Sequence, residues 1–300
     1  NSLYELGNIY FEGKHVKQDI EKAINYFTLA ADKNHIYAQF ELGRLYHEGI
    51  YIPLDLSKAI HYYTLASKQN HPYSQFNLGI IYLNSKFIAQ DINKAIKYFQ
   101  QAAENNISEA QFNLGLIFDT CEYVSHNINK SIYYYSLAAS QNNVDAQYNL
   151  GLIYFRGQSV HFDIQKAIYF FTLAANQNDA KAQFKLGNIY EKGEHIKLDI
   201  QKAIHYYTLA ADQNLKEAQY FLANIYETGK FVESDIKKAI HYYTLAANQN
   251  DVLSQIKLVV IYNKGDPKKA IHYCTLLADQ NFKEAQFWLA SIYEKGEYVE

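Results

Sequence analysis

Residues 36–69 read IYAQFELGRLYHEGIYIPLDLSKAIHYYTLASKQ, and this stretch decides the fold. Ala38, Leu42, Leu45 and Tyr46 fall at i, i+4, i+7 and i+8, the apolar stripe of an amphipathic helix. Gly49 follows as a C-terminal stop signal. Asp55 stands where an N-cap carboxylate would accept from the free N–H groups of a second helix. That helix carries Ala59, Tyr62, Tyr63 and Ala66 on one face, and Asn70, His71 and Pro72 form the next turn. The intervening loop contains Ile52, whose column is always Val or Ile (Val16, Ile88, Val124, Val160, Ile196, Val232, Val299). An apolar residue kept in a polar loop predicts a plug tucked under the helix pair.

The same unit recurs along the chain. Leu-Gly begins at Leu6, Leu42, Leu78, Leu114, Leu150 and Leu186 and continues as Leu222-Ala223, Leu258-Val259 and Leu289-Ala290. The step is 36 residues, except for a last step of 31. KAIHYYTLA appears unchanged at 58–66, 202–210 and 238–246. A single helical hairpin leaves one face uncovered, whereas stacked hairpins bury a continuous core. The expected fold is therefore an all-α solenoid of antiparallel helix pairs spanning 1–300 as one domain of eight or more repeats. A glycine in mid-helix, as at Gly43, costs about 1 kcal/mol against Ala, so its recurrence predicts close helix packing.

The pattern A-Q-[FY]-x-L-G-x-I-Y, a Gly-containing loop, then D-I-x-K-A-I-x-Y-[YF]-x-L-A-A resembles the Sel-1-like repeat, a relative of the tetratricopeptide repeat. The resemblance implies a right-handed superhelix with first helices lining the concave side. It also implies adaptor or scaffold roles in signalling, protein quality control or host interaction. In some proteins such repeats accompany a kinase domain, so an alternative reading is the repeat region of a larger signalling enzyme. The chain opens inside a first helix at Asn1 and stops inside a loop at Glu300, which reads as an excerpt cut mid-repeat.

Net charge is −3 with signs interspersed, so the basic stripe of a nucleic-acid binder is not found. No run of eighteen apolar residues occurs, the length a spanning helix requires. Cys121 and Cys274 make neither a disulfide framework nor a metal-ligand spacing, and they fit a reducing, cytoplasmic setting. His61, His205, His241 and His272 share a column about 200° round the helix from Ala59, which places them on a solvated face. Copies about 8–10 Å apart would not share one metal ion. Gly229-Lys230 lacks the Ser or Thr and the preceding strand of a phosphate loop. The sequons at Asn106 and Asn129 are expected by chance in an Asn-rich chain, and Cys121 has no His to activate it. The Asp and Lys columns recur once per unit, as caps and solvated stems do. No catalytic residue, cofactor or metal is expected.

What remains is the outward sector of the first helices. The aromatic column at Phe40, Phe76, Phe112, Tyr148, Phe184 and Tyr220 is expected to pack between neighbouring first helices. The columns of positions 44 and 47 turn apolar in the middle units, at Ile80, Leu116 and Leu152 in one and Leu83 and Phe155 in the other. Asp119 interrupts the second. Elsewhere these columns hold Asn8, Arg44, Asn188 and Asn224, or His47, Glu191 and Glu227. A water-facing apolar row marks an interaction site. The expected function is a protein-binding scaffold that takes a peptide or helix at Ile80, Leu83, Leu116, Asp119, Leu152 and Phe155.

Overall fold

A computed structural model describes residues 2–14, 16–84, 86, 89–120, 127–158, 160–263 and 265–295. Seventeen helices, and no strand, occur among them. They form two compact units, residues 1–150 and 151–300, with the boundary inside α9 (Val144–Arg156). The first unit contains α1 (Ser2–Glu12), α2 (Ile20–Asp32), α3 (Ile36–Glu48), α4 (Leu56–Lys68), α5 (Pro72–Asn84), α6 (Ile92–Glu104), α7 (Ser108–Asp119) and α8 (Ile128–Ser140). The second contains α10 (Ile164–Asn176), α11 (Ala180–Lys192), α12 (Ile200–Asp212), α13 (Lys216–Thr228), α14 (Ile236–Ala247), α15 (Val252–Tyr262), α16 (Pro267–Asp279) and α17 (Lys283–Lys295). Each unit is a solenoid in which every helix packs on its sequence neighbours.

The helix pair closes on its glycine. A Cβ added at Gly43 would lie 2.5 Å from the Tyr63 ring, and at Gly187 2.6 Å from the Tyr207 ring. The missing side chain on the first helix thus makes room for the aromatic of the second, which is fully buried. The Phe40 column packs on that same ring: Phe40 lies 6.0 Å from Tyr63 and Phe184 5.8 Å from Tyr207. The column also packs between neighbouring first helices, as expected: Phe184 lies 5.6 Å from Phe221, and Phe40 lies 4.6 Å from His71, just before α5, and 6.5 Å from Tyr73 within it.

The caps form as expected. Asp55 Oδ1 accepts from the Lys58 N–H at 3.0 Å, and Asp19, Asp91, Asp163, Asp199, Asp235, Asp266 and Asn127 do the same in their repeats. Lys58 reaches over the Tyr46 ring at 4.8 Å, and Tyr46 stacks on Tyr62. The Asp55 N–H donates to the Tyr46 carbonyl, closing the loop. Ile52 and Val232 pack against core clusters as plugs, whereas Val16 stays 38% exposed. Ile88, Val124 and Val299 lie outside the described residues.

Consecutive pairs are joined by a polar ladder that the apolar pattern does not reveal. Gln39, Gln75, Gln111, Gln147, Gln183, Gln219 and Gln255 are at most 2% exposed. Gln39 donates to the Ala31 carbonyl and to Asn34 Oδ1, and its own Oε1 accepts from Gln69 at 2.8 Å. Asn34 occupies the left-handed region at φ 62°, as does an Asn in every such turn. Asn tolerates this conformation better than most residues, and here its side chain also accepts from the ladder.

Residues 252–279 depart from the pattern. Val259 replaces the glycine and Cys274 the aromatic, while Leu277 replaces the usual Ala. Cys274 and Leu277 are buried in one cluster with Ala285 and Leu289, and Val259 packs against it. This shared cluster is what a compensating swap requires, in which a neighbour grows as the ring shrinks. Burial pushes the Cys274 thiol up to about 11.

Candidate interaction surface

The two columns singled out on the first helices prove physically different. Position 47 and its equivalents sit over the end of the second-helix ring. His47 meets Tyr63 edge-on at 5.9 Å, and Phe155 lies 6.4 Å from Phe171. Where the ring is Tyr, the column is polar: Glu191 accepts from the Tyr207 hydroxyl at 2.6 Å, and Glu227 from the Tyr243 hydroxyl at 2.7 Å. Burial raises the pKa of Tyr135, and the nearby Asp119 charge adds to the rise. Where the ring is Phe27, Phe99 or Phe171, the column is Phe11, Leu83 or Phe155. In the repeats of Tyr207 and Tyr243 the acidic residue of this column takes the ring hydroxyl, whereas the Tyr135 hydroxyl accepts from Asn149 and the Tyr63 hydroxyl is not bonded to His47.

This corrects the expectation for Leu83. It does not face water: it is 7% exposed, in one cluster with Phe99, Ala95 and Ala102.

Position 44 and its equivalents lie further out. Leu116 is 37% exposed, and Ile80 and Leu152 are half-buried. Ile80 also leans on the core cluster of α6 and α7. Val260, in the same column and 64% exposed, was missed by the sequence reading. In the second repeat the column is spent internally, since Arg44 pairs with Glu41 and Glu48 and lies over the Phe11 ring.

Two hollows open between successive first helices and the loop of the earlier pair. In unit 1 a cavity of about 200 Å³ is lined by His47, Leu54, Leu56, Ile80 and Ile81. In unit 2, at the equivalent repeat positions, Phe155, Phe162, Ile164, Asn188 and Ile189 line about 320 Å³. Lys185, Lys192, Glu194, His195 and Phe221 complete it. A larger open hollow of about 580 Å³ lies by the α12 cap, where the Asp199 carboxylate already serves the Lys202 N–H.

His61, His205, His241 and His272 are exposed, each edge-on to the following Tyr. Among the described residues, no group of three metal-capable side chains occurs, and no helix is long and apolar enough to cross a membrane.

Stacked helix pairs with buried glycine–aromatic contacts and capped second helices define a helical-repeat scaffold of the tetratricopeptide-like class. The chain belongs to the Sel1 repeat family: nine segments match, 1–35, 36–71, 72–107, 108–143, 144–179, 180–215, 216–251, 262–282 and 283–300. It is similar in structure to c5321, a protective antigen of uropathogenic Escherichia coli strains displaying an SLR fold. Identity is 30% and the TM-score 0.84, over 100% of this chain and 65% of that one. A Sel1 repeat protein from Oxalobacter formigenes matches at 28% identity and TM-score 0.78, over 97% of this chain and 86% of that one. The chain thus spans less than two thirds of the Escherichia coli protein's crystallised length. No curated protein sequence matches it. Proteins with such repeats generally mediate protein–protein contacts and are generally non-catalytic.

Proposed function

We propose that this chain is a protein-binding scaffold that receives a peptide or amphipathic helix on its first-helix face. Ile80, Leu116 and Asp119 are among the contacts in unit 1 and Leu152 and Phe155 in unit 2, and the buried Leu83 is not. The observation that carries the reading is the exposed aliphatic side chain in the column of position 44. Leu116 faces water at a site where Asn188 and Asn224 serve the same fold, so packing does not demand it. Within unit 1, α3, α5 and α7 approach one another more closely than successive second helices do, which supports an inner, concave placement of this face.

The test is a triple variant, Ile80→Asn with Leu116→Asn and Leu152→Asn. It should keep the helical circular dichroism of the parent while losing peptides selected on the parent from a random display library. Because Ile80 is half-buried, Leu116→Asn alone serves as the milder control. Unaltered peptide capture by both folded variants would move the contact surface elsewhere.

A further inference from the structure

Comparison of equivalent positions in unit 2 shows a basic group left without its acid. In α15, Lys257 reaches back to Glu227 of the preceding pair, with Nζ 2.7 Å from the carboxylate. Lys185 of α11 occupies the same repeat position, but the residue equivalent to Glu227 is there Phe155. Lys185 and Lys192 have no ion pair among the described residues, and both line the cavity of about 320 Å³. Glu194 lines it too, exposed, from the loop after α11. Phe155 and Phe162 lie 6.4 Å apart, and the Phe162 ring is 4.5 Å from His195. Phe221 closes the far side and stacks on the Tyr207 ring at 5.8 Å. The hydroxyl of Tyr207 is engaged with Asn188 and Glu191, which holds the ring on which Phe221 stacks.

From this arrangement we infer that the Phe155–Phe162–Phe221 cavity is the anchor site for an acidic partner segment, one aromatic side chain of which enters among the three phenyl rings while a neighbouring Asp or Glu pairs with Lys185 and Lys192. The inference rests on the proposed protein-binding role and names the partner chemistry at one place on that face. The volume sits at the lower end of the range of about 300–1,000 Å³ found for ligand sites, which fits a single large side chain. Offset and edge-to-face ring contacts favour an aromatic over an aliphatic occupant. Two ammonium groups against one exposed carboxylate select for acid and against base in the flanking residues, because like charges brought together are costly. In a folded partner such an anchor is a central buried residue with a charged rim, the usual anatomy of a hot spot.

The experiment pans the whole 300-residue chain against a library of random short peptides. In parallel it pans Lys185→Glu with Lys192→Glu, which alters charge at the cavity rim and leaves the glycine–aromatic core untouched. The expected consensus is an aromatic residue flanked by Asp or Glu. By fluorescence anisotropy these peptides should bind the double variant at least about tenfold more weakly, and peptides with Lys in the flanks should be gained. Phe162→Ala, on the exposed lip, should weaken binding without reversing the charge preference. A consensus lacking acid, no enriched peptide, or acidic peptides indifferent to the double variant would each overturn the inference. Peptides lost on the Ile80, Leu116 and Leu152 variant but kept by the Lys variant would overturn it while leaving the broader protein-binding role standing.

Discussion

Replacing Gln219 by Leu removes one rung of the polar ladder at nearly constant side-chain size. Gln219 is fully buried; its Nε2 donates to the Ala211 carbonyl and to Asn214 Oδ1, both at 3.2 Å, and its Oε1 accepts from Gln249 at 2.9 Å. Each such bond contributes a net of about 0.5–1.5 kcal/mol. Two of the groups left behind keep other partners. The Ala211 carbonyl still accepts from the Asn214 N–H, and Gln249 still donates to Asn214 Oδ1 at 3.0 Å. The loss should therefore fall near 2 kcal/mol, toward the lower part of the sum. The matched control is Gln286→Leu, an exposed residue with one bond to the Ala278 carbonyl, which should change stability by less than about 0.5 kcal/mol. Urea unfolding followed by circular dichroism measures both. Because repeat arrays unfold by neighbouring units, amide exchange at Asn214 and Leu215 reads the local effect and should accelerate in the Gln219 variant alone. Equal destabilisation by the two substitutions would refute the ladder as a source of stability.

Asp199→Ala should cost about 0.5–2 kcal/mol through loss of the α12 cap, and an unchanged urea midpoint would argue against it. The carboxyls of Asp19, Asp91 and Asp235 are held below their usual value of 3.8, foremost by the backbone N–H of Lys22, Lys94 and Lys238. Since the folded value is the lower one, their stabilisation is complete above the unfolded value and is lost as pH falls through the folded one. Melting temperature should fall as pH drops below about 4, and changing all three to Asn, the natural cap at Asn127, should flatten that drop. Leu277→Ala should cost about 2–5 kcal/mol in its buried cluster, whereas Ala210→Gly at the equivalent position should cost nearer 1 kcal/mol; equal midpoints would contradict the volume exchange around Cys274.

The period of 36 residues, the Leu-Gly column and the Asp caps were legible because each is a local demand repeated in every unit. A helix needs its stripe and its cap wherever it is placed, so the sequence alone determined an all-α stack of hairpins and the family to which the chain belongs. It also contained the pairing of Glu191 with Tyr207 and of Leu83 with Phe99, but only to a reader who knew that positions 47 and 63 face each other. That knowledge comes from tertiary packing, since side chains sixteen residues apart meet only when two helices fold back at a given register. For the same reason the outward direction of Leu83 was misjudged: a helical wheel gives angles about one axis and says nothing of the second helix that covers a flank. The Gln ladder was hidden for another reason. A buried glutamine is readable as core only when its partners, a turn carbonyl and a neighbour's amide, are in place. The hollow at Phe155, with Lys185 deprived of an acid, likewise belongs to no single repeat, because it is made by the contrast between adjacent helices that only the fold brings together.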